Sequence, residues 1–101
     1  MKSTMIPLAR REMLRAARRY ERDEPGLGDR FLDEVRAGLL AILEFPGAHP
    51  PLDPTYRRKL LSVFPYSLVY RTDGNAIVII AVANSKRRPG YWRRRRGAGP
   101  T

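Results

Sequence analysis

The residues of this chain able to do chemistry are cations and phenols. Arg57, Arg58 and Lys59 stand side by side and Arg71 follows. The chain then runs Ser85-Lys86-Arg87-Arg88-Pro89-Gly90-Tyr91-Trp92-Arg93-Arg94-Arg95-Arg96, seven cations and two large aromatics directly after its most hydrophobic stretch. Such a set neutralises phosphates and stacks on splayed bases. RNA cleavage through attack of a 2′-hydroxyl needs only proton transfer and stabilisation of a dianionic phosphorane. Arg57, Lys59, Arg87 and Tyr91 therefore form a minimal candidate catalytic set, with Tyr91 as proton donor and Tyr91 or Trp92 as stacking platform. Arginine stays protonated and is a poor general base, which favours contacts over catalysis. The candidate target-binding residues are Arg57, Arg58, Arg71, Lys86, Arg87, Arg88, Tyr91 and Trp92.

Other chemistries lack their residues. His49 is the single histidine and lies in the loop Gly47-Ala48-His49-Pro50-Pro51 with no carboxylate spaced to orient it; its capacity to titrate near neutrality gives it no role by itself. Asp53 and Asp73 are the only carboxylates after residue 50, and both read as loop and turn residues. That spacing argues against paired-carboxylate catalysis and against a metal site. There is no cysteine, hence no disulfide framework or thiolate site. No glycine-rich loop follows a strand and opens a helix, so no nucleotide cofactor is expected.

Charge is distributed unevenly. Residues 1–49 carry nine Lys/Arg against eight Asp/Glu, whereas residues 50–101 carry eleven against two, so nearly all of the +10 formal charge lies in the second half. With an isoelectric point near 11.0, the expected counterpart is nucleic acid or an acidic protein, with a membrane surface the weakest choice. The length of 101 residues suits one domain of modest core, expected over residues 1–96, with 97–101 as a flexible tail. No apolar run approaches the roughly 20 residues of a membrane span, and residues 1–8 lack a signal-peptide core, so a cytoplasmic location is expected.

The elements that must carry these residues can be read from periodicity. Ala9, Met13, Ala16, Ala17 and Tyr20 recur at helical spacing, with Arg10, Arg11, Arg15, Arg18, Arg19 and Arg22 filling most of the other face as a solvated surface to which no site is assigned. Asp23-Glu24-Pro25-Gly26 breaks this helix. A second starts near Leu27, carries Phe31, Leu32, Val35, Leu39, Ile42 and Leu43 on one stripe, and stops at Phe45-Pro46-Gly47. The period then changes. Strands are expected over Tyr56 to Val63, Tyr66 to Thr72 and Ala76 to Ala83, the last two joined by a hairpin at Asp73-Gly74-Asn75. Tyr66, Leu68 and Tyr70 share one face. Ala76 to Ala83 is apolar throughout, so both its faces should be covered; helices cover one, and the chain's own C-terminal segment or a second protein must cover the other. The fold class is α+β, a helical hairpin on one face of a small antiparallel sheet with a basic, partner-binding face opposite. Arg93 to Arg96 read as the start of a frayed cationic tail.

Taken in order, these segments resemble the ParE/RelE superfamily of bacterial type II toxins: Ala9 through Tyr20-Glu21, Pro25-Gly26-Leu27-Gly28 and Phe31, Phe45-Pro46, Arg57-Arg58, Phe64-Pro65-Tyr66-Ser67-Leu68-Val69-Tyr70, Ile80-Ala81-Val82-Ala83 and Arg87-Arg88-Pro89-Gly90-Tyr91-Trp92. The resemblance implies a β-α-α-β-β-β fold, a cognate antitoxin whose extended part wraps the toxin in a hetero-oligomer, and action on ribosome-bound messenger RNA or on DNA gyrase. It also implies that the RelE-like messenger-cleaving branch carries arginines where this chain has Ser67 and Ser85. The ParE-like, plasmid-stabilisation branch frequently has Ala-His where this chain has Ala83-Asn84. The expected reading is a ParE-like, non-nucleolytic, binding toxin. The alternatives are a RelE-like ribosome-dependent endoribonuclease and a non-toxic basic nucleic-acid-binding module whose affinity falls steeply with salt.

Overall fold

The structure, a computed structural model, describes residues 1–95. Its elements run β1 (Lys2–Met5), α1 (Pro7–Asp23), α2 (Leu27–Glu44), β2 (Arg57–Leu60), β3 (Tyr66–Asp73) and β4 (Ala76–Asn84). Proline in its first turn opens α1, where its missing N–H costs nothing. The chain leaves α1 at Glu24 and re-enters helix after Gly26. The Glu21 carboxylate closes that corner, accepting the N–H groups of Gly26 at 2.9 Å and Gly28 at 3.0 Å. Gly28 is required by proximity: a Cβ there would lie 2.5 Å from the carbonyl oxygen of Ala17, so the two helices touch backbone to backbone at this point.

The sheet order is β1-β4-β3-β2. The pairs β2/β3 and β3/β4 are antiparallel, but β1 runs parallel to β4, with Lys2 to Met5 opposite Ala76 to Ile79. The sheet is therefore mixed, which corrects the expectation of an antiparallel one. The four residues of β1 are mostly exposed and too few to show a period; pairing with the central strand makes them a strand. The hairpin forms where expected, with Gly74 at φ 61° between the paired Asp73 and Ala76, a conformation costly for any residue with a Cβ.

Tyr66, Leu68 and Tyr70 face the helices. Tyr66 and Phe64 join Tyr20 and Phe31 in a cluster of edge-on and tilted rings with centroids 4.8 to 6.2 Å apart, and the Tyr70 hydroxyl donates to the carbonyl of Pro46. In β4 every residue from Ile77 to Val82 is buried, each large side chain worth about 1.5 to 3 kcal/mol. The strand β2 ends at Leu60, short of the expected Val63. Leu61 turns into the core, and the next two N–H groups are taken by Glu34 of α2, at 2.9 Å from Ser62 and 3.1 Å from Val63. A helix side chain has replaced the ladder there. On the face away from the helices the chain's own C-terminal segment returns, and Trp92 is 4% exposed with its ring edge-on to Tyr56 at 4.8 Å.

Candidate functional site

Alternation along β2 sends its side chains two ways. Arg58 and Leu60 face the open side of the sheet, opposite Val69 and Ser67 of β3. There they line a groove of about 180 Å³ whose floor is Ser67, Val69 and Ala83 and whose rim carries Arg58, Arg87, Arg88 and Arg93. Ser85 lines it too. Both serines singled out in the sequence thus fall in one groove, among cations that could hold an anionic chain but without a base beside them.

Arg57 and Lys59 lie on the other side of β2. Arg57 donates to the backbone carbonyl of His49 at 2.7 Å and lines a separate depression with Tyr70 and Arg71. Arg71 is spent on Asp73, 3.6 Å away. Lys59 lies toward α2, beside Ala37 and Gly38. Arg57 pairs with Tyr70, whereas Asn84, where β4 ends, pairs with Tyr66; four residues of strand, about 13 Å, separate these points along the sheet. The candidate catalytic set is therefore divided. Arg57 and Lys59 sit at the β2 edge, and Arg87 and Tyr91 sit at the β4 exit.

Tyr91 is not poised as a proton donor to the groove. Its hydroxyl donates to Glu12 of α1 at 2.6 Å, and burial, reinforced by that bond, pushes the phenol well above the ordinary tyrosine range. Arg87 stacks on the Tyr91 ring, its guanidinium 3.8 Å from the centroid. Trp92, expected as a stacking platform, is instead a core residue, and the Arg93 guanidinium lies over its ring at 4.8 Å.

Glu12 is the residue that sequence reasoning missed. Beyond Met5 the edge of β4 has no neighbouring strand, and Glu12 accepts the Val82 N–H at 3.1 Å there. The same carboxylate takes both terminal nitrogens of Arg95, at 2.8 and 2.9 Å, while Arg95 also donates to the Ile80 carbonyl at 3.1 Å. One carboxylate thus clasps the strand edge and the returning C-terminal segment. A signal was present: Glu12 lies three residues from buried Ala9 and four from buried Ala16, on the helix face that turns inward. The expectation of a frayed tail from Arg93 is corrected by the same contacts. Arg95 is clasped and Arg93 pairs with Asp53, whose carboxyl is held below its usual range by the backbone N–H of Tyr56, with those of Thr55 and Arg93 adding to it. Arg96 and the expected tail 97–101 lie outside the described residues. Lys86 lines a second cleft, with Arg15, Arg19 and Arg87, so two arginines of α1 read as a solvated face join the basic surface.

A family model described as the ParE toxin of the type II toxin-antitoxin system, parDE, matches residues 6–89. Among solved structures the chain is similar to one titled "Chromosomal ParDE TA system from P. aeruginosa", with a TM-score of 0.64 and 16% identity over 85% of this chain and 97% of that one; at this identity the likeness speaks to the fold. The comparison with curated proteins finds no match. The matched span takes in both helices and the whole sheet except β1, and on it the chain belongs to the ParE toxin family of type II toxin-antitoxin systems.

Proposed function

We propose that this ParE toxin arrests growth by binding its target along the open sheet face, without cleaving it, and that a ParD-type antitoxin neutralises it in a hetero-oligomeric complex in the cytoplasm. DNA gyrase is the target that the resemblance to the ParE branch implies. One observation carries the non-nucleolytic reading: Ser67 and Ser85 stand together in the cationic groove where the messenger-cleaving branch is expected to carry arginines. The other candidate catalytic groups offer no replacement, since Arg57 and Lys59 serve the opposite side of β2 and the Tyr91 phenol is turned to Glu12. What remains at the groove is Arg58, Arg87 and Arg88 around an apolar floor, a surface for contact and not for proton transfer.

The test is induction of the chain in bacteria, with and without a co-expressed ParD-type antitoxin, while messenger ends are mapped and gyrase supercoiling is assayed with purified protein. Growth arrest with loss of supercoiling and intact messengers is expected. Codon-phased messenger cleavage would overturn the reading in favour of a ribonuclease, and absence of arrest would overturn toxicity itself.

A further inference from the structure

The second cleft lies between α1 and the end of β4. Arg15 and Arg19 of α1 form one wall, Lys86 and Arg87 the other, and Ala16 and Val82 line its base, with a volume of about 320 Å³. Elsewhere Arg36, Arg71, Arg93 and Arg95 each have a carboxylate within reach. Among the described residues none of these four cleft cations does. Arg19 donates only to the Tyr66 hydroxyl, at 2.8 Å, and Arg87 only stacks on Tyr91. Four cations converging without counter-charge form a site for an anion.

The shape of the charge distinguishes between anions. Glu12 lies at the inner end of the cleft, and a nucleic-acid backbone, with its unbroken run of phosphates, would bring negative charge past it. Ala16 and Val82 are 3% and 1% exposed and offer an apolar base that phosphates do not use. An extended peptide meets both conditions, because alternate side chains point opposite ways: carboxylates can reach the cationic walls while aliphatic side chains rest on the base.

We infer that this cleft is the seat of an acidic, leucine-bearing extended segment of the antitoxin, distinct from the groove on the open sheet face and separated from it by the Arg87-Tyr91 stack. This rests on the antitoxin pairing proposed above. The test uses the full chain and a labelled synthetic peptide of alternating glutamate and leucine, read by fluorescence anisotropy beside a single-stranded DNA oligonucleotide. Arg15→Glu should weaken peptide binding about tenfold or more. Arg15→Lys should retain binding, and Arg18→Glu, the same charge change on the same helix but beside a different depression, should leave it unaltered. In cells, Arg15→Glu should arrest growth as the parent chain does yet escape rescue by the antitoxin. Equal losses for Arg15→Glu and Arg18→Glu, binding of DNA but not peptide at the cleft, or undiminished rescue would each overturn the assignment. A parent chain that binds the peptide but never arrests growth would sink the toxin reading alone, so the two failures are distinguishable.

Discussion

The two faces of the central sheet are built on different principles. Toward the helices, Phe31, Leu68, Tyr70, Ile77 and Ile79 are wholly buried and the aromatic rings interlock. Toward the C-terminal segment the cover is a single tryptophan, a set of arginines and two ion pairs, Arg93 with Asp53 and Arg95 with Glu12. The first face rests on removal of apolar surface from water, which is insensitive to sequence detail once volume is conserved. The second rests on charged hydrogen bonds, which demand particular partners in particular places. Stability and recognition are therefore assigned to opposite sides of one strand pair, and variants on the two sides should behave differently.

The largest contrast comes from Phe31→Ala, which removes the ring at the centre of the aromatic cluster. It should cost about 3 to 5 kcal/mol, measured as a drop in urea midpoint at unchanged slope. A loss under about 1 kcal/mol would mean that the helix side is not where stability resides.

Next is Glu12→Gln, which keeps the shape of the clasp but leaves Arg95 without its charge partner. A loss of about 2 kcal/mol is expected. The phenol of Tyr91 supplies an independent readout. Its folded-state value lies above the ordinary 10.0, so its contribution to stability is complete below that pH and is lost as pH rises through the folded value. Absorbance titration at alkaline pH should reveal one late tyrosine, absent from Tyr91→Phe and shifted back toward 10.0 in Glu12→Gln. An unchanged titration in Glu12→Gln would show that the clasp does not govern Tyr91.

The smallest effect on stability should come from Arg58→Glu with Arg88→Glu on the groove rim, within about 0.5 kcal/mol, since both residues are exposed. Growth arrest should nevertheless be abolished. Retained arrest with the fold intact would remove the groove from the proposal and leave the comparison of faces standing only as one of packing.

Some of this architecture was legible along the chain. The 3.6-residue stripe of Phe31, Val35, Leu39 and Ile42, the proline at 25 and the Asp73-Gly74 turn are local signals, and each element they mark is present. The placement of Tyr66, Leu68 and Tyr70 on one face was equally legible, because a strand's period of two needs no partner to be read. The strand β1 carried no such signal, and β2 lost its last residues to Glu34, a side chain nearly thirty positions away. The site followed the same division. Ser67 and Ser85 could be singled out from the sequence, but their meeting in one groove depends on the register of β3 against β4.

The amino-acid sequence alone determined the order of elements, the buried central strand and the excess of cations in the second half, because propensity, periodicity and composition are properties of neighbours along the chain. Only the tertiary structure decided which of twenty Lys and Arg residues are free to meet a partner. An arginine's availability depends on whether folding brings a carboxylate within reach. Asp53 and Glu12 thus hold Arg93 and Arg95, while Arg15, Arg19, Lys86 and Arg87 gather around one cleft.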